Sequence, residues 1–171
     1  MPVLPATASD IPSLISLINR AYRGEESRRG WTTEAHLLDG ELRTDEKDIL
    51  QLMQMPGATF LKYINEDGII QGTVFLKKSD DKMYLGMLSV SPLLQSRGIG
   101  KELMADAEAY ARKCGCNAVF MKVISIRYEL IAWYERKGYR KTGEREAFPP
   151  GNHFGTPTQP LEFLLMEKMI G

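Results

Sequence analysis

The chain has 171 residues, 43% hydrophobic and 26% charged, which suits one soluble globular domain, 1–171, around one sizeable core. Its 22 basic and 22 acidic side chains cancel, which excludes a broad cationic face for nucleic acid. Cys114 and Cys116 lack the usual zinc half-site spacing, His36 and His153 are distant, and no apolar run approaches the roughly 20 residues of a membrane helix. Asp10 and Pro12 interrupt the start of the chain. The expectation is a cytoplasmic protein in a reducing compartment, without metal, nucleic-acid or membrane partner.

Taken in order, Pro2 to Thr7 reads as a first strand. Asp10 is placed to cap a helix with Pro12 in its first turn, and Ile11, Leu14, Ile15, Ile18 and Tyr22 form its buried stripe. Gly24 ends it. The stretch Gly24 to Thr33 carries Arg28, Arg29 and Trp31. It is either a solvated loop, with Trp31 folded onto the core and Thr32 capping a short helix through Leu38, or the wall of a substrate site. In the second case Arg28 and Arg29 can fork a carboxylate or phosphate and Trp31 can stack on a ring or cation.

Asp45 to Met55 is an amphipathic helix stopped by Pro56-Gly57. The period then changes to strands, Thr59 to Ile64, Ile69 to Lys77 and Met83 to Val90. Asp67-Gly68 lies in the first turn and Asp80-Asp81 in the second. A helix from Ile99 to Cys114 buries Ile99, Leu103, Ala107, Tyr110 and Cys114, with Lys101, Glu102, Glu108 and Arg112 outside and Glu108 spaced to pair with Arg112. A buried strand follows, Ala118 to Ser125. Then come a helix from Tyr128 to Lys137 ended by Gly138, a strand from Tyr139 to Glu146, a long loop from Ala147 to Pro160, and a closing strand from Leu161 to Met169. The architecture expected is α+β, with a mostly antiparallel sheet and a parallel, right-handed unit across the Ile99 helix.

The informative stretch is Gln95-Ser96-Arg97-Gly98-Ile99-Gly100-Lys101, at the junction of a buried strand and a helix. Such a junction aims backbone N–H groups and the positive end of a helix dipole at one point, and glycine lets an anion approach the main chain. A Walker sequence is absent, because no Ser or Thr follows Lys101, and the third glycine of the dinucleotide fingerprint is missing. The Gln-x-x-Gly-x-Gly pattern after Leu88-Ser89-Val90-Ser91-Pro92 resembles the pyrophosphate loop of the GCN5-related N-acetyltransferases, and Ala132-Trp133-Tyr134-Glu135-Arg136-Lys137-Gly138-Tyr139 resembles a second segment of that family.

The resemblance implies a three-layer fold, with a twisted, mostly antiparallel sheet of about seven strands flanked by helices and a parallel pair that splays apart at the coenzyme site. It implies acetyl-coenzyme A as co-substrate. Leu88, Ser89 and Val90 would hold the pantetheine arm by strand-like main-chain bonds, and the loop residues Gln95, Ser96, Arg97, Gly98, Ile99, Gly100 and Lys101 the pyrophosphate. From position alone, Arg97 and Lys101 are either phosphate partners or solvated cations at a helix start. Tyr134, which spacing alone would place in the core, would be the acid that protonates the departing thiolate. Arg127 stands where the family often has a coenzyme-contacting asparagine, so an ionic contact replaces it or the contact is lost.

The activity implied is acetyl transfer to a primary amine, of a small molecule or a peptide, by direct attack in a ternary complex. An alkyl ammonium is neutral in roughly 1 in 2,500 molecules at pH 7, so something must take its proton. The central strands carry no glutamate; Glu25, Glu26, Glu34, His153 or a water chain remain as the base, and Glu34 and His153 join Arg28, Arg29 and Trp31 as acceptor-site candidates. The alternatives are a non-catalytic acyl-coenzyme A sensor or interaction module, and a transferase for another acyl group. The last strands are also placed to pair between subunits, which leaves a homodimer open.

Overall fold

The computed structural model describes residues 3–23, 33–35, 37–39, 43–94, 97–148 and 156–171. Arg28, Arg29, Trp31, Gln95, Ser96 and His153, together with Glu25 and Glu26, lie outside the described residues. The elements run β1 (Val3–Pro5), α1 (Ile11–Tyr22), β2 (Leu38–Asp39), α2 (Glu46–Gln54), β3 (Ala58–Ile64), β4 (Ile70–Ser79), β5 (Lys82–Val90), α3 (Ile99–Lys113), β6 (Ala118–Ile124), α4 (Tyr128–Arg136), β7 (Arg140–Ala147), β8 (Thr156–Pro157) and β9 (Glu162–Met169).

Seven strands form one sheet in the order β1-β3-β4-β5-β6-β9-β7. All pairs are antiparallel except β5–β6, so the α+β arrangement expected from the sequence holds. Strand alternation explains the three layers. Phe60 and Phe75 face a core with Leu14, Ile18 and Ala21 of α1 and Ile49 of α2. Their neighbours Leu61, Val74 and Leu76 face the other way, onto Leu103, Met104 and Ala107 of α3 and Leu130 and Ile131 of α4. Gly72 lets α3 sit directly on β4: a Cβ there would come within 2.9 Å of both Ile99 and Leu103 side-chain carbons.

Several local expectations change. Asp10 does not cap α1 with its side chain; its carboxylate accepts from the Thr7 N–H and from Lys62 Nζ, both at 2.8 Å. Asp45 caps α2 instead of opening it, accepting from the Asp48 N–H at 2.8 Å. The expected short helix reaching Leu38 gives way to β2, which pairs with β8 from inside the long loop as a separate two-stranded sheet. Glu108 is not on the outer face of α3. It is 8% exposed, accepts from the Tyr139 hydroxyl at 2.9 Å and meets Lys168 Nζ at 2.9 Å, while Arg112 Nε donates to the Ile170 carbonyl. Strand β7 forms one border of the large sheet, exposed along its whole length, and its register against β9 shifts between Lys141 and Arg145.

Candidate active site

The site begins where two parallel strands part. β5 and β6 pair only through Lys82–Tyr84 and Ala118–Phe120. Beyond Tyr84, β5 stays with β4 as far as Val90↔Gly72, and beyond Phe120, β6 stays with β9 as far as Ile124↔Phe163. Each strand follows its outer neighbour, so a gap opens between them. A bulge sharpens the divergence: Gly86 pairs with Phe75 and Ser89 with Thr73, so β5 carries one residue more than β4 over this stretch, and Met87 adopts a left-handed φ of 53°. Two hydrogen bonds fix the bulge. The Tyr22 hydroxyl donates to the Leu88 carbonyl at 2.5 Å, and Ser89 Oγ donates to the Met87 carbonyl at 2.8 Å.

One cleft lies at the end of β5 and measures about 530 Å³. Gly98, Ile99, Gly100 and Lys101 form one side of it, and Glu129, Trp133 and Arg136 of α4 with Lys137 just past its end the other. Gly98 has φ 84° and precedes the first turn of α3, whose opening N–H groups have no partner within the helix. Among the described residues, a Cβ on Gly98 would meet nothing within 4 Å. Lys101, Arg136 and Lys137 bring positive charge to the same cleft. This donor set fits a diphosphate. The sequence alone pointed to Lys101 and not to Arg136 and Lys137, which stand two and three positions after Tyr134.

A second cleft, about 340 Å³, runs along β5 from Tyr84 to Leu88 and across to Met121–Ile124 of β6. Tyr134 and Leu88 both line it. Tyr134 is 5% exposed, and burial, then the neighbouring Tyr22, raises its phenol pKa well above the ordinary value, while Arg127 acts in the opposite sense. Arg127 lies here and not among the residues lining the Gly98 cleft. Glu34 is also here, but its carboxylate is engaged: Oε1 lies 3.2 Å from Arg23 Nε and 3.1 Å from Arg23 Nη2. Arg127 Nη1 is 3.8 Å from Oε2 and Arg43 Nε 4.0 Å from Oε1. Tyr22, Arg23 and Arg43 were missed as site residues, because their meeting depends on chain segments that no local pattern connects.

Three buried phenols near this region make the fold alkali-sensitive. Tyr22 is pushed up to about 12 by burial, Tyr134 is raised as described, and Tyr139 is raised by burial and by the Glu108 carboxylate. Each folded value exceeds the unfolded one of about 10. The stabilisation they give is therefore complete below pH 10 and is lost as the pH rises through the folded values. Denaturant titrations should show this contribution constant from pH 8 to about 10 and falling above it; ionisation of all tyrosines near pH 10 in the folded protein would contradict this.

The fold and the site define a protein of the acetyltransferase class. The chain belongs to the acetyltransferase (GNAT) family, whose model matches residues 13–139. A probable N-acetyltransferase, camello, of Xenopus tropicalis is 30% identical over 144 residues, 82% of this chain and 64% of that protein. The chain spans less than two thirds of the length of the curated relatives it matches, 64% of this one. Among solved structures, a ribosomal-protein-alanine N-acetyltransferase from Brucella melitensis superposes with TM-score 0.73 at 20% identity, covering 99% of each chain. A putative acetyltransferase from Salmonella typhimurium, solved with its cofactor acetyl-CoA, superposes with TM-score 0.69 at 16% identity, covering 99% of this chain and 93% of that one.

Proposed function

We propose that this chain is an acetyl-coenzyme A-dependent N-acetyltransferase that acetylates a primary amine by direct attack in a ternary complex. The observation that carries the reading is the gap between β5 and β6, with the Gly98 cleft at the end of β5 and residues of α4 lining both clefts. Acetyl-coenzyme A supplies an activated thioester. Gly98, Gly100 and the first N–H groups of α3 hold its diphosphate, with Lys101, Arg97, Arg136 and Lys137 as cationic partners. The inner edge of β5, Leu88 to Val90, holds the pantetheine arm as an added strand would be held. The bulge at Met87 turns the main chain at Leu88 toward the thioester carbonyl, where an N–H donor stabilises developing negative charge.

The amine nitrogen forms its bond to the carbonyl carbon as the carbon–sulfur bond breaks. Tyr134 delivers its proton to the departing sulfur and regains one from solvent. Burial keeps the phenol protonated at neutral pH, so the donor form is always present, and Arg127 favours the phenolate left behind. The amine proton leaves through water. Glu34 is already shared with Arg23, so an incoming ammonium would have to compete with a guanidinium for it.

Calorimetry with acetyl-coenzyme A, followed by thiol release in the presence of a panel of amines, tests the reading. Saturable binding and amine-dependent thiol release are expected. Absence of binding at millimolar coenzyme would overturn the reading; binding without release to any amine would leave the non-catalytic module in its place.

A further inference from the structure

Among the described residues lining the second cleft, Arg23, Arg43, Lys122 and Arg127 are cationic and Glu34 is the acidic one. Lys122 is matched outside the cleft by Glu146 at 2.9 Å, and Arg23 holds Glu34 directly. Arg43 is different. Its Nε stands 4.0 Å from the Glu34 carboxylate, beyond hydrogen-bond reach, and its guanidinium carbon sits over the Tyr22 ring at 5.5 Å. Its side chain is 30% exposed, so a ligand in the cleft can reach it.

The position of Arg43 is built into the fold. Asn19 of α1 accepts from the N–H groups of Arg43 and Thr44 at 2.5 and 2.9 Å, and donates to the Thr44 carbonyl at 3.1 Å. Thr44 is fully buried and donates to Asp48 at 2.6 Å. The backbone of Arg43 is thereby fastened to α1 on one side and to the first turn of α2 on the other. Tyr22, the ring beneath Arg43, is the same residue whose hydroxyl fixes the Leu88 carbonyl. A guanidinium so placed is a fork for a carboxylate. The remaining wall is apolar, with Met87, Leu130, Phe148 and Phe163.

We propose that the acceptor is a small amine that also carries a carboxylate, as in an amino acid with an apolar or aromatic side chain, and that Arg43 recognises that carboxylate. The amine part rests on the acetyltransferase reading; the carboxylate part rests on the cleft. In this role Arg43 is a specificity-determining residue, and Arg23 with Glu34 and Arg127 forms the charged floor against which it is oriented.

The test pairs L-phenylalanine, L-leucine and L-methionine with their carboxamides. Binding of each is measured by calorimetry on the protein saturated with free coenzyme A, so that no transfer occurs. At least one acid should bind roughly tenfold or more tightly than its amide, since the amide lacks the charge-assisted pair. Arg43→Gln should abolish that preference and Arg43→Lys should restore part of it, with acetyl-coenzyme A affinity unchanged in both as evidence of an intact fold. Equal binding of acids and amides, a preference that survives in Arg43→Gln, or no saturable binding of any of the acids at millimolar concentration would each overturn the proposal. Thiol release is then read with the same panel and acetyl-coenzyme A. Carboxylate-dependent binding without release would remove the acetyltransferase reading and leave carboxylate recognition standing.

Discussion

Replacing Tyr134 by phenylalanine should lower kcat by roughly 100-fold or more, the usual contribution of a positioned general acid, without loosening acetyl-coenzyme A. The substitution removes one oxygen and leaves the ring in its place. That ring is held edge-on to Trp133 at 5.3 Å and to Tyr139 at 6.0 Å between centroids, contacts that phenylalanine keeps. The loss should fall on kcat and kcat/KM alike, because proton donation acts only as the carbon–sulfur bond breaks. An acyl donor with a more acidic thiol leaving group should recover much of the lost rate. Unchanged turnover in Tyr134→Phe would take Tyr134 out of the mechanism and leave solvent as the acid.

Gly98→Val should weaken acetyl-coenzyme A binding by roughly 100-fold, because two effects combine. A β-branched residue at φ 84° is strained by about 1–2 kcal/mol. Its side chain would also stand at the start of α3, where no described residue lies within 4 Å of a Cβ and where the proposed site takes the diphosphate. Gly115→Val separates these effects. Gly115 has φ 80° and equally open surroundings, but lies past the far end of α3. The two variants should lose similar stability in denaturant, and only Gly98→Val should lose coenzyme affinity. Equal affinity in the two would show that the loop does not hold the diphosphate.

These two predictions concern the parts of the candidate site that the sequence already named. Gly98 sits in a short contiguous pattern in which a strand end, a turn and a helix start impose their own geometry; Tyr134 was singled out by the family resemblance, because its spacing alone marks a core position, and it is indeed 5% exposed. The turn at Asp80-Asp81 and the cap at Gly138 were readable for the same reason as Gly98: each is a local backbone requirement, and Gly138 takes φ 97°.

What was not legible is what the sheet brings together. Glu108 and Arg112, spaced for an outward pair on a helix, were read that way because Tyr139 and Lys168 are remote in the chain. β2 and β8 are two residues each and gain their structure from pairing with one another. The group of Arg23, Glu34, Arg43 and Arg127 draws on the end of α1, the segment before α2 and the start of α4, and no periodicity links them. The gap between β5 and β6 follows from β6 pairing along its whole length with β9, which enters the sheet last.

The outermost strand, β7, has a consequence for the company this molecule keeps. Its side chains include Arg140, Lys141, Glu144, Arg145 and Glu146, and Gly143 at φ 92° interrupts the even spacing of the amides and carbonyls along it. A second molecule laid alongside would meet charges instead of an apolar ribbon, and its hydrogen-bonding groups would fall out of step midway. That border is a poor template for fibril growth.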